Sequence, residues 1–209
     1  MTICWLLDVP SSERRTGDAS IWNDVIARLQ HDGYPVVAPA NPLRGLVSAS
    51  DYLESFVKSV KGPVVLVGHS YGGAVISDAA AGNPEVKVLV YIASFIPEKG
   101  ESFTEVGSKF PGATLASAFD AVPFPLPGGG TGTDLYVQKD KFHDAFAADV
   151  PESVTDLMAA TQRPLAASRF MAARAHSRTI EVKSSHAVLI SHPGAVANLI
   201  RQAAGTSTR

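Results

Sequence analysis

Pro63-Val64-Val65-Leu66-Val67-Gly68-His69-Ser70-Tyr71-Gly72-Gly73 decides how this chain is read. An apolar, largely β-branched run stops abruptly at Gly68, and a serine among small residues follows. The next residues, Ala-rich and free of breakers through Ala80, read as a helix. Gly68, Ser70 and Gly72 are in G-x-S-x-G register, in the context of strand, sharp turn and helix. Glycines at those offsets remove Cβ crowding where the backbone reverses. The turn lifts the Ser70 hydroxyl to the carboxyl end of a sheet, which makes it the candidate nucleophile. The Tyr71 N–H, at the start of the helix, is the candidate oxyanion donor. His69 reads as a buried polar spacer rather than a base, because adjacent residues on a sharp turn diverge.

The surrounding chain has 209 residues, enough for one domain with a full core. An apolar share of 45% argues against disorder. A net charge of −2 gives no electrostatic preference for nucleic acid. The single cysteine, Cys4, excludes an internal disulfide framework and reads as a small core residue. No basic leader precedes the first apolar stretch, and Asp8 interrupts it, so no signal peptide is expected. No stretch reaches membrane-spanning length without polar interruption. Cytoplasm is the default expectation.

Working outward from the elbow, strands are expected at residues 3–9, 36–38, 64–67 and 86–93. Helices fall between them. Ile21, Trp22, Val25, Ile26 and Leu29 share one face of the first, and Tyr52, Leu53, Phe56, Val57 and Val60 one face of the second. The alternation is βαβαβαβ, spaced for right-handed crossovers and a parallel sheet. This predicts an α/β class with helices on both faces. From 96 to about 165 the rhythm changes. The Pro- and Gly-dense stretch 119–130 is expected to be irregular, and short helices are expected at 140–148 and 151–160. That piece reads as a cap over the carboxyl edge, its aromatics partly lining an apolar pocket. The division is core 1–95, cap 96–165 and C-terminal core 166–209. In the last part, 179–182 is expected to form the final strand and 193–203 the closing helix.

A serine hydroxyl needs a base within hydrogen-bond reach. Of His31, His69, His143, His176, His186 and His192, His186 fits best. It sits in the exit loop of the final strand, at the end of a parallel sheet where Ser70 lies, and serine followed by a late histidine is the hydrolase order. His192 is the reserve base. An acid should orient the imidazole. Residues 162–178 contain no Asp or Glu, so Glu98, just past the fourth strand, is the best substitute, with Glu101 behind it. No H-E-x-x-H spacing and no G-x-G-x-x-G after a strand occur, so neither metal nor dinucleotide chemistry is expected.

With Ser70 and His186 in place, the sequence resembles the α/β-hydrolase superfamily. More narrowly, it resembles the small esterase branch that includes plant methylesterases and hydroxynitrile lyases. Gly68-His69-Ser70-Tyr71-Gly72-Gly73 is similar to that branch's elbow, and Ser184-Ser185-His186-Ala187-Val188 to its histidine loop. Residues 22–29, 39–45 and 95–100 are similar too. The resemblance implies an α/β-hydrolase fold, Ser70 as nucleophile, His186 as base, a cap and no cofactor. Two departures stand out. The branch's His-Gly pair after the first central strand is missing, with Glu13-Arg14 about where it would fall. The acid-bearing strand before the histidine strand is missing as well, since Ala167-Ser168-Arg169-Phe170 runs straight through.

The expected activity is therefore hydrolysis of a small or medium apolar ester, with neither nucleic acid nor membrane as partner. Oligomeric state is not legible. Two alternatives remain on the same scaffold. One is a cyanohydrin-type lyase, for which Lys139 and Lys141 are nominal cap lysines. The other is a non-catalytic binder of a small apolar ligand.

Overall fold

The computed structural model describes residues 2–6, 20–41, 43–94, 115–166 and 180–206. In order, the elements are β1 (Thr2–Leu6), α1 (Asn23–His31), β2 (Val36–Val37), α2 (Leu46–Ser59), β3 (Val64–His69), α3 (Gly72–Ala79) and β4 (Val86–Ile92). Then follow β5 (Phe119–Pro125), β6 (Thr131–Val137), α4 (Phe142–Phe146), α5 (Glu152–Thr161), β7 (Leu165–Ala166), α6 (Val188–Ser191) and α7 (Pro193–Thr206).

The first four strands form one parallel sheet in the order β2-β1-β3-β4. β3 is central and buried along its whole length. Its alternation sorts the core into two layers, because successive side chains of a strand point to opposite faces. Val65 and Val67 pack with Trp22, Val25 and Leu29 of the first helical segment and Val196 and Ile200 of α7. Val64 and Leu66 pack with Leu46, Leu53 and Val57 of α2 and Ala74 and Ile76 of α3. This is the doubly covered parallel sheet that the β-branched runs predict. Leu66 is fully buried. Leu66→Ala should lower unfolding stability by about 2–5 kcal/mol in a denaturant titration.

Two expectations are corrected. Residues 119–130 are not irregular, because β5 and β6 form an antiparallel hairpin from Phe119↔Val137 to Pro125↔Thr131. β7 adds to β6 at Asp134↔Ala166 and Leu135↔Leu165. Pro123 and Pro125 are tolerated because β5 lies at the edge of this small sheet, where a missing N–H leaves no ladder bond unmade. The ring of Phe124 lies where a side chain at Gly132 would stand.

Residues 180–182 are not a strand, and 180–185 are irregular throughout. A sheet strand needs a neighbour for its backbone donors and acceptors. Among the described residues β4 pairs with β3 alone. Ile180 and Val182, the apolar residues that suggest a strand, remain exposed at 45% and 37%.

The insertion has its own core, which Phe142, Phe146, Val150 and Met158 build with Ala187 of the histidine loop. It is also tied to the loop before α2. Arg44 Nη1 donates to Asp134 at 2.7 Å, its guanidinium lies 4.8 Å from the centre of the Phe124 ring, and Arg163 donates to the Asn41 carbonyl at 3.0 Å.

Candidate active site

The chain reverses at Ser70, between β3 and α3. Ser70 has φ +56°, in the left-handed region that non-glycine residues avoid at a cost of roughly 1–2 kcal/mol. Several contacts hold it there. The Ser70 N–H donates to the Ile92 carbonyl at the end of β4, at 3.1 Å. The Ser70 carbonyl accepts from the Gly73 N–H at 3.2 Å and from the Ser94 hydroxyl at 2.6 Å. The glycines make the reversal possible. A Cβ at Gly68 would stand 2.5 Å from the carbonyl of Gly72, and one at Gly73 would stand 1.8 Å from Ser94 Oγ. Tyr71 is the N-cap residue of α3, so its N–H is at the helix start, where orphan backbone donors cluster.

His186 is brought to this elbow. Its carbonyl accepts a hydrogen bond from His69 Nε2 at 2.9 Å, and the two rings are 4.8 Å apart. A carbonyl only accepts, so His69 carries a proton on Nε2. His69 is fully buried, with Trp22 edge-on at 6.4 Å. It therefore joins the Ser70 turn to the backbone of the His186 loop. The Phe146 ring covers the His186 imidazole at 5.0 Å. His186 Nε2 is buried and has no hydrogen-bond partner among the described residues.

Burial, with a smaller contribution from His69, lowers the His186 pKa well below the usual histidine value of 6.5. The ring is thus neutral throughout the neutral range. The sign follows directly: acid protonates the ring and removes its capacity to accept a proton. The acid limb of kcat/KM against pH should therefore have its midpoint below 6.5. Stability should move in the same direction. The unfolded chain binds a proton at His186 more readily, so unfolding free energy should fall as pH drops through and below 6.5, until the folded-state value is reached.

The other sequence candidates fall elsewhere. Glu98 and Glu101 lie outside the described residues, as do residues 7–19, the loop expected to supply a second oxyanion donor, and the junction 167–179. His176 is also outside them. Among the described residues no carboxylate reaches the His186 ring. His31 is exposed at the end of α1, and His143 lies 3.3 Å from Thr155 in the insertion. His192, the reserve base, lies 2.9 Å from the Ser191 hydroxyl and 3.7 Å from Asp149. Lys139 and Lys141 stand on an exposed turn beside Asp120, Asp140 and Asp156. Among the described residues no group of three or more His, Cys, Asp or Glu could hold a metal ion. No helix there is long and apolar enough to cross a membrane.

Sequence reasoning misses Ser94 and Asp149. Ser94 follows β4 and fills the space that Gly73 leaves. A small hydroxyl residue just past a strand neighbouring the elbow is a usable signal for it. Asp149 sits among many acidic residues of the insertion, and only the folded chain singles it out.

A parallel sheet covered on both faces, a left-handed serine after its central strand and a late histidine at the same end define a hydrolase-type α/β protein. The chain belongs to the alpha/beta hydrolase family, whose pattern it matches over residues 14–199. Among characterised relatives, a carbendazim hydrolyzing esterase from Nocardioides sp. (strain SG-4G) is 33% identical over 121 residues, spanning 47% of this chain and 50% of the relative. The chain thus spans half the length of that relative. Among solved structures, a polyneuridine aldehyde esterase superposes with a TM-score of 0.75 at 16% identity, covering 96% of this chain and 98% of the other. Tomato methylketone synthase I superposes with a TM-score of 0.69 at 17% identity, covering 99% and 98%. At those identities the likeness is one of fold.

Proposed function

We propose that this protein is a carboxylic ester hydrolase that works through an acyl-enzyme on Ser70. His186 Nε2 takes the hydroxyl proton as Ser70 Oγ attacks the ester carbonyl. The oxyanion is met by the Tyr71 N–H. The intermediate collapses, the alcohol leaves with the proton from His186, and an acyl-serine remains. Water then attacks, His186 takes its proton, and the acid is released with the serine restored. The reaction consumes one water and needs no cofactor. Substrates are small or medium apolar esters, in keeping with the aromatic insertion. The observation that carries this reading is a left-handed Ser70 at the strand-to-helix reversal, with the His186 loop hydrogen-bonded to the same elbow through His69. The esterase among the relatives supports the reaction class.

The test is a series of p-nitrophenyl esters of rising acyl length, with a fluorophosphonate probe in parallel. Hydrolysis favouring short to medium chains, with the probe recovered on Ser70, is the expected result. Turnover without labelling at Ser70 would refute the mechanism. Cyanide release from mandelonitrile in place of ester cleavage would redirect the assignment to a lyase.

A further inference from the structure

The loop that carries His186 is held from the insertion. The Ser185 N–H donates to Asp149 Oδ2 at 3.0 Å, and the Ser185 hydroxyl makes a close hydrogen bond to Asp149 Oδ1. On the other side of the histidine, the Ala187 N–H donates to the Phe146 carbonyl at 3.1 Å. The Ala187 N–H also reaches the Ser185 hydroxyl oxygen, at 3.2 Å. Residues 146–149 therefore grip the chain just before and just after His186, while His69 grips its carbonyl from the elbow.

In a parallel α/β sheet the strand leading into such a loop ordinarily fixes its place. Here residues 180–185 make no ladder, so the approach to His186 receives no such support. We infer that Asp149 is the positioning residue for His186, fixing the base loop through Ser185 where a sheet strand would otherwise do so. It is not a catalytic residue, because its carboxylate meets Ser185 and not the imidazole. Both Asp149 oxygens accept from the same residue, a geometry that sets the orientation of the loop as well as its position. Burial pushes the Asp149 carboxyl up, but the Ser185 hydroxyl and N–H and the Ser191 hydroxyl more than offset it, and the net value is lowered. The clamp is thus ionised at neutral pH. The catalytic consequence rests on the ester hydrolase reading above; the grip on the loop does not.

The experiment combines amide hydrogen exchange over residues 184–188 with steady-state kinetics on p-nitrophenyl acetate, for wild type, Asp149→Ala, Asp149→Asn and Ser185→Ala. Hydrogen bonds to a charged group are worth enough that Asp149→Ala should speed exchange at Ser185 and lower kcat by about ten- to a hundredfold, with KM within about twofold. Asp149→Asn keeps one accepting oxygen and should recover part of both. Adding Ser185→Ala to Asp149→Ala should cost nothing further, since the two act through one contact. Unchanged exchange at 185–187 in Asp149→Ala overturns the inference, as does faster exchange with unchanged kcat. Should Asp149→Ala not fold, Ser185→Ala carries the same test from the other side of the contact. Exchange reads the clamp without catalysis. A wild-type protein with no Ser70-dependent hydrolysis would sink the esterase reading, and the exchange data would still decide the grip.

Discussion

Ser70→Ala will abolish fluorophosphonate labelling and lower kcat on p-nitrophenyl acetate by about a hundredfold, not by a millionfold. In serine hydrolases with a complete triad, loss of the nucleophile costs about 10⁶ in turnover, and loss of the acid alone about 10⁴. The members act as one unit, so their costs do not multiply. Among the described residues no carboxylate reaches His186, and its perturbation comes from burial and His69 alone. With no carboxylate on the imidazole, the wild-type protein would start about 10⁴ below a full triad, and removing Ser70 would take away only what is left. The comparison is of burst and steady-state rates for wild type and variant, at a pH where His186 is neutral. A loss near 10⁶ would mean that an acid outside the described residues serves the imidazole, with Glu98 the first to substitute by glutamine. Equal rates in wild type and variant would mean that the serine does no chemistry, and the non-catalytic ligand-binding alternative would stand in its place.

How much of this was legible beforehand depends on whether the signal is local. The parallel sheet was legible because burial on both faces forces continuous β-branched runs, and residues 64–67 are such a run, all buried. The elbow is legible because Gly68 answers a steric demand only a few residues away, from the backbone of Gly72 and Gly73. Chain order places His186 at the elbow on the premise of a final strand at 179–182, yet 180–182 form no strand and the His69 hydrogen bond to the His186 carbonyl is what joins the two. The contact that holds the loop from the insertion is not legible in the sequence. Asp149 and Ser185 are 36 residues apart, and nothing periodic links them. The irregular stretch expected at 119–130 turns into a hairpin for a different reason. Proline density signals disruption only if the strand has neighbours on both sides, and edge position is a property of the folded sheet. The strand expected at 179–182 fails over 180–182 in the opposite sense, because alternating apolar residues promise a strand only where a partner exists.

Gly68→Ala should be among the most damaging single-methyl additions at the elbow, and more so than Gly73→Ala. A Cβ on Gly68 would sit 2.5 Å from the Gly72 carbonyl carbon and oxygen and 2.7 Å from the Gly73 nitrogen, all of them backbone. That backbone cannot retreat freely. Gly68 is paired on both sides, with Leu6 of β1 and Tyr91 of β4, and Gly72 opens a helix packed on β3. Relief requires moving α3 off the sheet, with a cost of about 3 kcal/mol, at the high end for overpacking. In a chain of this size that corresponds to a Tm lowered by about 6–12 °C. Gly73→Ala meets Ser94 Oγ, a side-chain atom that can rotate away, and beyond it Ser94 Cβ at 2.9 Å and the Tyr91 ring at 3.0 Å, which must give by a few tenths of an ångström. It should cost about 1 kcal/mol of stability. Rotation, however, withdraws the hydroxyl from the Ser70 carbonyl and frees the strained turn. Gly73→Ala should therefore keep most of its Tm yet label more slowly at Ser70, while Gly68→Ala loses both. Scanning calorimetry with timed fluorophosphonate labelling separates the two. A Gly68→Ala protein melting within about 2 °C of wild type would show that the contact between β3 and α3 is looser than these distances require.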